Sequence, residues 1–146
     1  MDTDDGPAAI EQLSHSECWA LLRKAKTGRV AVTHDGTPDI FPVNHVVDHG
    51  NIVYRTGTGA LFRATLHHDV AFEVDGQDPE TIQAWSVVVR GRATERLKII
   101  EILDSLDVPI APWQSGAKPR YVHIEPREVT GRRFTIAKGV QAQSTD

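Results

Sequence analysis

Arg29-Val30-Ala31-Val32-Thr33-His34-Asp35-Gly36, the extended run from Asp39 to Val47, and Ile52-Val53-Tyr54-Arg55-Thr56 decide the fold class. Val30 and Val32 recur at the period of two that sets one face of a strand against a core. Asp35-Gly36 is a hairpin signal, because both residues tolerate the positive φ that a tight turn between twisted strands demands. A second turn, Asp48-His49-Gly50-Asn51, leads into the third segment, so the three read as a meander. Pro42 has no N–H to give to a ladder, which predicts that its strand is an edge, bulged or locally open there.

Working outward toward the N-terminus, Ser14-His15-Ser16-Glu17 has the form of a capping box. It predicts a helix from about Glu17 to Lys26, with Cys18, Leu21, Leu22 and Ala25 on one face and Gly28 as the left-handed residue that stops it. Residues 1–12 read as a flexible arm. Toward the C-terminus, Thr56-Gly57-Thr58-Gly59 breaks the strand, and Ala60 to His67 holds enough helix formers for a short second helix. Further strands follow at Val70 to Val74 and at Ala84 to Arg96, where Trp85, Val87 and Val89 alternate with Ser86, Val88 and Arg90. A third helix is expected from Leu97 to about Leu106, then a loop with Pro109, Pro112 and Pro119. Tyr121 to Ile124 and Val129 to Ile136 close the sheet, and residues 138–146 form a polar tail. At least six short strands with few helices describe a mainly β (α+β) barrel or sandwich whose openings are covered by helices.

A chain of 146 residues, with 40% hydrophobic and 25% charged residues, fits one ordinary globular domain, here 13–137. The net charge of -4 argues against a nucleic-acid backbone as the main partner, since that binding runs on clustered positive charge. No apolar run approaches the roughly 20 residues that cross a bilayer. The acidic start Met1-Asp2-Thr3-Asp4-Asp5 differs from the basic start of a signal peptide, so a cytoplasmic protein without membrane contact is expected. The single cysteine, Cys18, excludes an internal disulfide framework and a thiolate cluster, and reads as core packing. Neither His45 with His49 nor His67-His68-Asp69 has the spacing of a zinc site, and no metal is expected. No G-x-S-x-G elbow offers a nucleophile.

Chemistry concentrates in three places. Arg55-Thr56-Gly57-Thr58-Gly59 joins a strand to a helix, where glycines permit close backbone approach and unpaired N–H groups favour a phosphate, with Arg55 and Arg63 able to add forked contacts. The same glycines also suit a plain turn, and the sequence is neither a Walker A loop nor a G-x-G-x-x-G fingerprint. Phe41-Pro42-Val43-Asn44 combines a proline that frees neighbouring backbone groups with an amide suited to the polar edge of a heterocycle. An edge-strand proline beside a turn-seeking Asn is the plainer alternative. Trp85-Ser86-Val87-Val88-Val89-Arg90-Gly91-Arg92 is a central strand in which Trp85 and Ser86 alone are open to a ligand. The basic cluster Arg127, Arg132, Arg133 either lines a cofactor mouth or faces solvent.

Taken in order, Gly28-Arg29-Val30-Ala31-Val32, Phe41-Pro42-Val43-Asn44, Tyr54-Arg55-Thr56, Val70-Ala71-Phe72-Glu73-Val74-Asp75, Trp85-Ser86-Val87-Val88-Val89-Arg90-Gly91 and Thr130-Gly131-Arg132-Arg133-Phe134 resemble the pyridoxamine 5'-phosphate oxidase-like family of FMN-binding split barrels. The resemblance spans about Leu13 to Ile136. It implies a six-stranded antiparallel split β-barrel of Greek-key character, which dimerises and builds two equivalent flavin sites from both subunits. It further implies that Pro42, Val43 and Asn44 lie along the isoalloxazine, that Arg55, Thr56 and Thr58 hold the ribityl phosphate, and that Trp85 and Ser86 approach the same pocket. One departure stands out: relatives carry a lysine just after the glycine turn, where this chain has Leu61, leaving Arg63 as the substitute cation. The implied function is a flavin-dependent oxidoreductase using FMN. The alternatives are a reductase using the deazaflavin F420, or a non-catalytic module of the same fold for flavin, haem or another planar ligand. A purely structural or nucleic-acid-associated barrel fits the acidic balance least. In a flavin enzyme the cofactor performs the transfer, so binding residues are named and catalytic ones are not.

Overall fold

The computed structural model describes residues 10–57, 59–95 and 120–136. Its elements are β1 (Ile10–Gln12), α1 (His15–Lys24), β2 (Thr27–His34), β3 (Thr37–Asp48), β4 (Asn51–Thr56), α2 (Ala60–Thr65), β5 (Asp69–Asp78), β6 (Gln83–Glu95) and β7 (Arg120–Thr135). The sheet order is β1-β7-β4-β3-β2-β5-β6, and β6 pairs with β7 so that the sheet closes on itself. Six strands, β2 to β7, make this closed sheet: a mainly β split barrel. The meander β2-β3-β4 is flanked by β5 on one side and β7 on the other, with α2 in the crossover from β4 to β5.

The turns form as their residues dictate. Asp35 and Gly36 take φ of 51° and 75°, and His49 and Gly50 take 51° and 78°, the left-handed pairs that match the twist of the flanking strands. Pro42 lies opposite Arg29 of β2, whereas pairing between β3 and β4 begins only at His45 with Tyr54. The far edge of β3 is therefore open at the proline, and the lost donor costs no ladder bond.

Three expectations about boundaries are corrected. First, α1 runs from His15 to Lys24 rather than from Glu17 to Lys26, and Gly28 does not stop it. The cap is Ala25 in extended conformation, its N–H donating to the Leu21 carbonyl. Gly28 lies within β2, where an added Cβ would collide with the Phe72 ring and crowd the Glu73 carbonyl. The glycine serves close packing, not a left-handed turn. Second, Ile10–Gln12, placed in the N-terminal arm by sequence, pair with Phe134, Arg133 and Arg132 as the short strand β1, added to the six of the barrel. Third, the two closing segments are a single strand, β7. Arg90 faces Glu128 and Gly91 faces Pro126, so Arg127 is the extra residue of a bulge. The second helix also ends early, at Thr65 rather than His67, which has a φ of 63°. The expected third helix lies outside the described residues.

The core fills the barrel with Val30, Val32, Phe72, Val74, Val87, Val89, Val122 and Ile124, each at most 4% exposed. These are the alternating positions of β2, β5, β6 and β7, as the period of two requires. α1 lays Cys18, Trp19 and Leu22 against them. Burial pushes the Cys18 thiol up, with the Glu17 carboxylate adding to it, so this cysteine is a packing residue and not a nucleophile.

Candidate functional site

Three elements meet around a cavity of about 420 Å³. β3 contributes Phe41, Pro42 and Val43; the end of β4 and the turn after it contribute Arg55, Thr56, Gly57 and Gly59; α2 contributes Ala60, Leu61 and Phe62. The open edge of β3 at Pro42 makes the space, because no neighbouring strand covers the backbone there. Behind the wall, the Phe41 ring meets Tyr54 edge to face, with centroids 6.4 Å apart. The cavity is thus apolar along β3 and α2 and polar at the β4 end, where Arg55 and Thr56 sit.

The fit to a flat heterocycle with an anionic tail is good on these grounds. The volume lies in the usual range of roughly 300–1,000 Å³ for ligand pockets, and the apolar wall with one polar end suits an amphipathic ligand. Arg55 is held by its own stacking partner, its guanidinium lying 5.6 Å from the centre of the Tyr121 ring, its register partner on β7. A guanidinium is a planar cation whose forked N–H groups match an oxyanion, and the stacking on Tyr121 orients it at the polar end of the cavity.

The predicted residues divide into three groups. Pro42, Val43, Arg55 and Thr56 are brought together around the one cavity. Asn44, Arg63, Trp85 and Ser86 are not among its lining residues. The Asn44 Oδ1 accepts from the Thr27 hydroxyl at 3.1 Å. Arg63 is exposed on α2. Trp85 covers Gly76, its register partner, so closely that a Cβ there would strike the indole. Ser86 lies in a separate groove of about 550 Å³ with Gln12, Val88, Arg90, Thr130 and Arg132. Thr58 lies outside the described residues. Of the basic cluster, Arg127 pairs with Asp69 and Arg133 reaches Glu11 and Glu17, at 3.5 and 3.7 Å, leaving Arg132 in the Ser86 groove.

Sequence reasoning missed Phe41 and Phe62 as wall residues, and Arg120 beside them. Phe41 carried a signal in its place next to Pro42. Arg120 carried none: its closeness to Phe62 follows only from the pairing of β7 with β4.

Among the other groups with shifted environments, His45 and Glu73 bear on stability. His45 is buried, and its Nε2–H donates to the Leu22 carbonyl at 2.9 Å, since a carbonyl can only accept. Burial holds its pKa below the usual imidazole value, so the ring stays neutral. Glu73, on the outer face of β5, is pushed up to about 7 by burial and by the neighbouring Asp75, against the pull of Arg29. Arg29 bridges both carboxylates at 3.1 Å. Among the described residues, no three His, Cys, Asp or Glu side chains come together as a metal site. No helix among them is long and apolar enough to cross a membrane.

Comparison with known proteins fixes the class. The pattern of the pyridoxamine 5'-phosphate oxidase family matches residues 14–133. An FAD-binding protein of Mycobacterium smegmatis is 34% identical, and its structure superposes with a TM-score of 0.74 over 86% of this chain and 98% of that one. A candidate pyridoxamine 5'-phosphate oxidase of Corynebacterium glutamicum is 39% identical, with a TM-score of 0.77 over 92% of this chain and 98% of that one. An uncharacterised protein of Mycobacterium tuberculosis is 35% identical over 131 residues, 86% of each chain. The chain belongs to the pyridoxamine 5'-phosphate oxidase family.

Proposed function

We propose that the protein binds FMN in the cavity between β3 and α2, as a homodimer, and works as a flavin-dependent oxidoreductase. The observation that carries this reading is the meeting of Pro42 and Val43 with Arg55 and Thr56 around one apolar cavity with a cationic end. The isoalloxazine lies along Pro42 and Val43, with the Asn44 amide at its polar edge. Arg55 and Thr56, with Thr58, hold the phosphate. Phe41, Leu61 and Phe62 keep water from the ring. The flavin, when bound, accepts and donates hydride or single electrons; the chain orients it and sets the electrostatics around it.

The second subunit has a definite task in this reading. Ser86 and Arg132 share a groove of their own, apart from the cavity within one chain. In the dimer, Trp85 and Ser86 of one protomer complete the cavity of the other, which supplies hydroxyl and cation to the open side of the ligand.

The FAD-binding relative favours a second reading, in which the same cavity takes the flavin and first phosphate of FAD while the adenylate extends outside it. The two readings, and the F420 alternative, separate in one experiment. Purified protein is titrated with FMN, FAD and F420 while flavin absorbance and fluorescence are followed, then assayed for oxidation of a reduced nicotinamide. FMN or FAD binding is expected, with Arg55→Ala and Asn44→Ala each weakening it by more than about tenfold, the scale of one charge-assisted or fully used polar contact. Normal titrations in both variants would place the ligand elsewhere. Binding without turnover would leave the non-catalytic module for a planar ligand.

A further inference from the structure

Arg55 is the single charged side chain among the described residues that line the cavity, and the face contributed by α2 is Ala60, Leu61 and Phe62, without a cation. A phosphate monoester carries close to two negative charges at neutral pH, so one guanidinium leaves it under-compensated.

Among the described residues, a cation beside two wall residues of the cavity comes from β7. Arg120 is the register partner of Thr56, which places the two side chains on the same face of the sheet, about 5 Å apart at Cβ. Its guanidinium lies over the Phe62 ring, 5.7 Å from the centroid. Thr56 and Phe62 both line the cavity, so Arg120 is flanked by two of its wall residues. One edge of the fork is fixed by Glu95, whose carboxylate is 2.9 Å from Nη1 and whose side chain is only 8% exposed. A guanidinium has five N–H donors, and a contact with one carboxylate oxygen leaves donors for a second anion. Stacking on Phe62 engages the planar face rather than the N–H edge. The Arg120 side chain itself is 38% exposed, open to a ligand from solution.

We infer that Arg120 is the second cation of this cavity: with Arg55 it holds the phosphate end of the ligand, and it sets the preference for a phosphorylated flavin over the unphosphorylated one. The inference rests on the flavin reading above. Glu95 is its positioning residue, and the remaining N–H donors of the Arg120 guanidinium supply contacts that Leu61 cannot make.

The test compares FMN with riboflavin on the full chain. Wild type is expected to prefer FMN, with an affinity that falls more steeply with salt than that for riboflavin. Arg120→Gln is expected to lose about tenfold or more in FMN affinity while riboflavin binding stays within about twofold, and Arg120→Lys is expected to recover part of the preference. Equal losses for both ligands, or an unchanged FMN-to-riboflavin ratio in both variants, would assign Arg120 to the fold alone and overturn the inference. If Arg120→Gln does not fold, the ratio in Arg120→Lys and the salt dependence of wild type decide the same question. A wild type that binds both flavins equally overturns this inference and leaves the flavin reading standing; one that binds neither overturns both.

Discussion

At the scale of single residues, the chemistry of side chains was easier to read than their neighbours. Val43, Arg55 and Thr56 announce themselves by type and by the proline and glycines beside them, and the structure gathers them around one cavity. Gly28 was misread because a glycine after a helical stretch looks the same whether the backbone needs positive φ or a neighbour needs its missing Cβ; only Phe72, 44 positions on, shows which. The same limit hid Glu73 and His45, whose environments come from strands distant in sequence. Their effects on stability run in opposite directions. Glu73 is raised to about 7 from an ordinary 4.5, so its protonated form is favoured in the folded state, and stability falls as pH rises through that window. His45 is lowered from 6.5, so its neutral form is favoured, and stability falls as pH drops below 6.5. Melting temperatures from pH 4 to 8 check this: Glu73→Gln is expected to match or exceed wild type at pH 8, to equal it near pH 4.5, and to show the His45 rise alone between. A Glu73→Gln variant less stable at pH 8 would mean that the Arg29 ion pair outweighs the burial.

At the scale of elements, local signals were sufficient wherever local chemistry decides the outcome. The two left-handed hairpin turns and the capping box are contained in four-residue windows, and all three are present. The Ser14 hydroxyl accepts from the Glu17 N–H at 3.2 Å, and the Ser14 N–H donates to the Glu17 carboxylate at 2.9 Å. Ser14→Ala is accordingly expected to cost about 1 kcal/mol, the usual scale of a lost N-cap, as read by denaturant unfolding. Flavin affinity is expected to be unchanged, because α1 contributes nothing to the cavity. Elements set by pairing were not legible in the same way. β1 exists because Gln12 and Ile10 find Arg132 and Phe134, and β7 runs unbroken through Pro126 because the bulge at Arg127 absorbs the missing donor. Neither partner is visible from the segment alone. The place of Arg120 follows from the same long-range pairing, which is why the proposed second cation had no sequence signal.

At the scale of the whole molecule, strand count and turn spacing reached a barrel or a sandwich, the family resemblance alone implied the closed split barrel, and neither showed whether one chain completes the site. A barrel buries its inner face within one chain, and its outer face needs a separate explanation. Ile40, 60% exposed, sits on that outer face, opposite Ala31. Its register partner Ala31 lines a hollow of about 510 Å³, with Pro38 and Ala71 and with the charged Asp69, Arg90, Arg127 and Glu128. An exposed isoleucine beside a hollow of mixed apolar and charged lining is an arrangement a two-fold contact can use, since each copy offers the same projection and the same recess. Ile40 is also two residues from Pro42, so a contact made there reaches the edge of the ligand cavity. If the proposed dimer forms through this face, Ile40→Lys is expected to weaken or abolish self-association, as measured by light scattering across a range of concentrations. Flavin affinity in the variant should then become concentration-dependent and fall in step with self-association, because in the proposed site Trp85 and Ser86 of the second subunit are withdrawn together with it. A monomeric variant that binds flavin as tightly as wild type would mean that one chain suffices, and that the groove around Ser86 and Arg132 serves some other ligand.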